Sequence, residues 1–258
     1  MVDDPADPRL AGFALGDRRL RHAGSGTSPA RFLAEGDLVV ERAFESGCRP
    51  VAVLVDPDRV PAIARRLGVV VYAAGPDVRR AVTGMGRVQP VVAVFERPRP
   101  RTVDEVTASA SRIVLVEAVD NPANVGAIVR NAAALGWDGL VLDGGSADPL
   151  ARRSLRVAMG TAFALPHART DDLVAAVAEL GRQGVATFAL TPDDGARDVD
   201  DVRAPARCAI VVGAERAGLS PEMLAACWER VRIPLVADVD SLNVAAATAI
   251  ACHALRRR

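Results

Sequence analysis

With 258 residues, half of them hydrophobic, the chain can bury one large or two ordinary cores, and its 32 basic and 32 acidic residues cancel. Zero net charge argues neither for nor against a polyanionic partner, although every basic residue is an arginine, whose planar donors suit phosphate. No apolar run reaches the roughly 18 residues of a spanning helix. Four cysteines (Cys48, Cys208, Cys227, Cys252) and three histidines (His22, His167, His253) lack metal-site spacing, and the start MVDDPADPRL lacks a presequence pattern. The expectation is a soluble cytoplasmic protein with no metal and with buried free thiols.

After a polar lead-in to about Pro29, RFLAEGDLVVERAFESG carries apolar residues at Phe32, Leu33, Leu38, Val39, Val40, Ala43 and Phe44 before a glycine, which predicts a helix with a stop. VAVLV (51–55), PAIARRLG (61–68), VVVYA (69–73), DVRRAVTG (77–84) and PVVAVFE (90–96) then alternate strand and helix, giving a small α/β unit. RPRPR (97–101) continues neither element, because its prolines remove donors and fix φ, and it reads as a linker. The predicted domains are 1–100 and 101–258.

Beyond the linker, apolar runs recur at IVLVEA (113–118), GLVLD (139–143), VATFAL (185–190), CAIVVGA (208–214) and VRIPLV (231–236). Strands apolar on both faces predict a parallel sheet covered by helices on each side. The last helix, SLNVAAATAIACHAL, is apolar nearly all round and should be buried.

Ligands of open parallel sheets bind beyond the carboxyl ends of the strands. Three such ends carry polar residues: DNPANVGAIVR after the first run, GAERAGLS after AIVV, and IPLVADVDSLN before the last helix. Singly these are turn starters and helix caps, with Asn124, Ser220 and Ser241 as the cap candidates. There is no G-x-G-x-x-G after a strand and no G-x-x-x-x-G-K-[ST], which disfavours dinucleotide and P-loop sites. VLDGGSAD (141–148) reads as a turn.

Taken in order, N-P-x-N-x-G-x-x-x-R (Asn121 to Arg130), R-V-A-M-G (Arg156 to Gly160), G-x-E-x-x-G-L (Gly213 to Leu219) and I-P-x…S-L-N-V (Ile233 to Val244) resemble the SpoU family of RNA ribose 2′-O-methyltransferases. The likeness covers about 113–255, and the front unit, with F-L-A-E-G-D-x-V-V, is similar to the small RNA-binding domain of many members. It implies a parallel sheet with a C-terminal trefoil knot, S-adenosylmethionine as cofactor, a homodimer, and RNA, ribosomal before transfer RNA, as substrate. It also implies catalytic roles for Asn124, Arg130, Glu215, Ser241 and Asn243, and cofactor contacts from Leu190, Gly213, Ile233, Leu235, Leu242 and Asn243. Ala158, Ala237 and Ala245 depart from residues common in the family. A base methyltransferase or a non-catalytic RNA-binding protein of the same fold are the alternatives.

Overall fold

The computed structural model describes the chain except residues 15, 18–19, 21–28, 85, 87, 237–239 and 258. Ala237 and His22 therefore lie outside the described residues. Two units separate: Met1–Arg99 with Leu150–Phe163, and Pro100–Pro149 with Ala164–Arg258. The return of 150–163 to the first unit has no counterpart in the sequence pattern.

Helix α1 (Ala11–Ala14) precedes β1 (Arg31–Glu35), α2 (Asp37–Glu45), β2 (Pro50–Val55), α3 (Ala62–Arg66), β3 (Val71–Ala73), α4 (Pro76–Thr83) and β4 (Val91–Glu96). The sheet order is β1-β4-β2-β3, with β4 antiparallel to both neighbours and β2 parallel to β3. Residues 31–47 are thus not one helix. Gly36 adopts a left-handed φ of 84°, which ends β1 and starts α2, and Phe32, Leu33 and Ala34 are buried in the sheet. The lead-in is also less polar in effect than in composition, since Val2, Leu10, Phe13 and Leu20 enter the core.

The second unit continues with α5 (Val103–Thr107), β5 (Arg112–Val116), α6 (Pro122–Ala134) and β6 (Gly139–Leu142). Then α7 (Arg152–Val157) packs in the first unit, where Phe32 and Phe163 lie 5.5 Å apart between ring centres. The chain returns through β7 (His167–Arg169), α8 (Leu173–Arg182), β8 (Ala186–Leu190), β9 (Arg197–Asp198), β10 (Cys208–Val212), α9 (Pro221–Ala226), β11 (Glu229–Arg232) and α10 (Val244–Ala254).

Its seven strands run in the order β7-β6-β5-β10-β8-β11-β9, every pair parallel. Both β5 and β10 are buried along their length, as expected of strands covered on two faces. From β5 the chain winds outward to β6 and β7, whereas the later strands lie on the other side of β5. The C-terminal ends of β5 and β10 therefore flank the crevice where the order reverses, the place an open α/β sheet offers a ligand.

Helix α10 and its C-cap Leu255 are pinned by three long-range bonds to their carbonyls. Asn131 Nδ2 donates to Ala245 O (2.9 Å), Trp137 Nε1 to Cys252 O (3.0 Å) and Arg112 Nε to Leu255 O (2.8 Å). Val244, Ala245, Thr248, Ala251 and Cys252 are buried, but Ala246, Ile250 and His253 are exposed, so the helix is not covered all round. Cys48, Cys208 and Cys252 are buried free thiols, and Cys227 is half-buried with its thiol pushed up to about 12 by burial.

Candidate active site

The loop after β5 becomes α6 through Asn121, whose Oδ1 accepts from Ala123 N (2.9 Å), with Pro122 at the first helical position. Asn121, not Asn124, is therefore the cap. Asn124 lies inside the first turn, buried, its side chain free of capping duty. Before α10 the cap is Asn243 rather than Ser241: its Oδ1 accepts from Ala245 N (3.0 Å) and Ala246 N (3.4 Å). Ser220 caps α9 as its sequence predicts, accepting from Met223 N (3.2 Å).

With its oxygen committed to the cap, Asn243 points Nδ2 the other way. It donates to Glu215 Oε1 at 2.6 Å and to Asn124 Oδ1 at 3.2 Å. One amide thus ties together all three polar strand ends: the first turn of α6 after β5, the loop after β10 and the segment after β11. Arg130 and Ser241 are both exposed, and neither side chain has a hydrogen bond or ion pair to another described residue.

The loop after β10 is folded on itself. A Cβ on Gly213 would sit 2.3 Å from Gly218 O and 2.7 Å from Leu219 N, and Gly218 N donates to Ala214 O (2.9 Å), so only glycine fits at 213. Glu117 holds this loop from below by accepting from Ser220 N (2.9 Å) and Ser220 Oγ (2.7 Å). Sequence reasoning missed Glu117, whose only signal is a carboxylate immediately after the buried apolar run Ile113–Val116.

A cavity of about 460 Å³ opens here at the ends of β8, β10 and β11. Leu190, Gly213, Ile233, Leu235 and Leu242 line it, as do Glu215 and Ser241, whereas Asn243 lies outside its lining. The wall is mostly aliphatic, with carboxylates at Glu215 and Asp240 and a guanidinium at Arg216. Of the family departures, Ala245 is buried in the first turn of α10, and Ala158 ends α7 in the first unit. Among the described residues no group of three or more His, Cys, Asp or Glu could hold a metal ion, and no helix is long and apolar enough to cross a membrane.

An all-parallel α/β sheet with an aliphatic cavity and a polar junction at its switch point defines a ligand-binding α/β protein. Residues 111–253 match the model of the SpoU rRNA Methylase family, and the chain belongs to that family. It is 37% identical to an uncharacterized tRNA/rRNA methyltransferase of Mycobacterium tuberculosis, over 98% of this chain and 90% of that one. It is 33% identical to the 23S rRNA (guanosine(2553)-2′-O)-methyltransferase RlmP of Bacillus subtilis, over 89% of this chain and 90% of that one. Among solved structures, the SpoU methyltransferase AviRb of Streptomyces viridochromogenes in complex with AdoMet superposes with a TM-score of 0.80 at 28% identity, covering 96% of this chain and 97% of that one.

Proposed function

We propose that this protein is an RNA methyltransferase that moves the methyl group of S-adenosylmethionine to a ribose 2′-hydroxyl of ribosomal RNA in the cytoplasm. The observation that carries the reading is the Asn124–Asn243–Glu215 junction beside the strand-end cavity, in a chain of the SpoU family.

The residues present fit the cofactor. A volume of about 460 Å³ suits a nucleoside-sized ligand, and the aliphatic wall from Leu190, Ile233, Leu235 and Leu242 suits an adenine. Glu215 and Asp240 oppose the positive charges of a sulfonium and an ammonium, and Arg216 suits a carboxylate. When bound, S-adenosylmethionine supplies an electrophilic methyl group. The chain's own part is alignment and charge. Asn243 braces the three loops so that the attacking oxygen is held in line, which is where much of the rate of such a transfer originates. A guanidinium, with five donors and no acceptor, is suited to holding an anion rather than to taking a proton, and this fits Arg130. It serves instead by gripping the phosphate beside the target ribose and stabilising charge on the 2′-oxygen, the proton passing to a phosphate oxygen or water.

Three finer features belong to the same reading. The first unit is the RNA reader: it holds 18 arginines against 12 carboxylates, while the second holds 14 against 20, so the neutral chain is segregated into a basic and an acidic half. The C-terminal segment is threaded as a trefoil knot, supported by the return of the chain from β11, beyond β8, to α10 on the β5 side. The working form is a homodimer, supported by the uncovered apolar face of α10, where Ile250 is 41% exposed.

The test is the position of the methyl group. RNA methylated by the purified protein should resist alkaline cleavage at one link, because that cleavage requires a free 2′-hydroxyl. A complete ladder from stoichiometrically methylated RNA would overturn the ribose assignment in favour of a base.

A further inference from the structure

The turn VLDGGSAD, left unused by the functional reading, is wired to the root of α6. Ala118, the second residue after β5, has φ of 53°, a left-handed conformation that alanine seldom adopts. Its N–H donates to Asp143 Oδ2 at 3.0 Å. The other carboxylate oxygen accepts from Ser146 N (2.8 Å) and lies 2.6 Å from Ser146 Oγ, which in turn accepts from Val119 N at 3.1 Å. Ala147 N closes the circuit on Val119 O (2.8 Å).

The turn itself is held rigid from behind. The guanidinium of Arg169 donates to the carbonyls of Asp143 (2.7 Å), Ser146 (2.7 Å) and Ala147 (2.6 Å). Gly145 passes close by: a Cβ there would lie a tight 3.3 Å from Asp143 Oδ2 and in ordinary contact, 3.7 Å, with Ala118 Cα. Strained backbone persists only where its surroundings over-determine it, and here they do so three residues before the Asn121 cap. The torsion at Ala118 sets the direction in which α6 leaves the sheet, and with it the placement of Asn124 against Asn243 and of Arg130.

Resting on the proposed function, we propose that Asp143 is a positioning residue for methyl transfer: it locks Ala118 in the left-handed state and thereby aims α6. Asp143 itself lines neither the cavity nor the Asn243 junction, so it acts on the reaction only through the backbone.

The experiment uses the full chain and four variants: Asp143→Ala, Ala118→Val, Ala118→Gly, and Asp143→Ala combined with Ala118→Gly. Asp143→Ala should speed amide exchange across residues 117–125 and slow single-turnover methylation about tenfold or more, the scale of a small misalignment, while the cofactor Kd by calorimetry stays within about threefold. Ala118→Val, which cannot rest left-handed, should reproduce both effects even if the first variant folds poorly. Glycine is at ease in that region, so Ala118→Gly should be near wild type and should restore much of the turnover lost with Asp143→Ala. Wild-type exchange rates in Asp143→Ala and Ala118→Val, or a turnover loss that glycine does not relieve, would overturn the proposal. If the wild-type chain methylates no RNA, the functional reading fails, while the exchange data still decide whether Asp143 sets the torsion.

Discussion

Asn243 donates to Glu215 Oε1 at 2.6 Å while its own side-chain oxygen caps α10, so one amide serves a helix terminus and the candidate site at once. The two duties are separable. Asn243→Asp keeps an acceptor for the cap but loses the donor and sets a second carboxylate against Glu215. Thermal unfolding should then shift little, while methyl transfer falls sharply. Asn243→Ala loses the cap as well, and should cost about 1 kcal/mol of stability besides. Equal activity in wild type and Asn243→Asp would remove the junction from the mechanism.

Gly213 offers a test of the cavity alone. A methyl group at this position would meet Gly218 C at 2.4 Å and Gly218 O at 2.3 Å, both backbone atoms that cannot swing aside. Gly213→Ala should therefore open the 213–219 loop and weaken cofactor binding by about tenfold or more, as expected when a preformed site must be rebuilt on binding. Calorimetry with S-adenosylmethionine reads this directly, and an unchanged Kd would place the cofactor elsewhere.

The strands that were legible in the sequence are those buried on both faces. IVLVEA, GLVLD, VATFAL and CAIVVGA became β5, β6, β8 and β10 because short, nearly continuous apolar runs, broken in VATFAL only by the buried Thr187, fit strands covered on both faces. β7 and β9, read as His-Ala-Arg and Arg-Asp, lie at the two edges of the sheet, where no apolar run is needed. β1 reads as helix from sequence alone, because the spacing of its apolar residues fits either period, and the positive φ of Gly36 is what ends the strand there. The motif asparagines and glycines could be picked out by type. Their supports could not: Glu117 meets Ser220 across 103 positions, and Asp143 meets Ala118 across 25, and nothing local marks a carboxylate that will be needed by a distant amide.

Glu35 carries a pH dependence that can be read without knowing the substrate. It is 3% exposed at the end of β1, with Arg152 Nε 3.0 Å and Arg156 Nη1 4.0 Å from its oxygens. Burial pushes its carboxyl above the ordinary 4.5, and the two arginines offset only part of this. The folded chain therefore binds this proton more tightly than the unfolded one, so its contribution is greatest below the ordinary value and is lost as pH rises through the raised one. Glu35→Gln cannot lose a proton. The difference in urea midpoint between the two proteins should change across that window and level off above it, and a difference independent of pH would show that the carboxyl is not raised.

The dimer is testable through Ile250, whose exposed side chain sits on the uncovered face of α10. Sedimentation of the wild-type chain at micromolar concentration should give about twice 27.0 kDa. Ile250→Asp would place a charge on that face in each of two symmetric copies and should yield monomer. A fully active wild-type monomer would dismiss the assembly.

Arg130 is the sharpest point of the mechanism, because its surroundings make its removal easy to interpret. It is the ninth residue of α6, exposed, and without a partner among the described residues. Arg130→Ala should accordingly change stability by no more than about 0.5 kcal/mol. Turnover should nonetheless fall on the order of 100-fold, the scale of a lost transition-state donor, with cofactor affinity within a few-fold. Arg130→Lys separates charge from chemistry. Were the residue a general base, lysine, which holds a proton intrinsically less tightly than arginine, would surrender it more readily and gain on the wild type as pH rises. An electrostatic grip on phosphate predicts the opposite. Lysine keeps the charge but not the planar two-pronged donor set, so the variant should be slower than wild type at every pH, with no new ionisation between about pH 7 and 9. Single-turnover rates at saturating cofactor decide between them: an Arg130→Lys enzyme that overtakes wild type in alkali would return the residue to the role of base, and an undiminished Arg130→Ala rate would exclude it from the reaction.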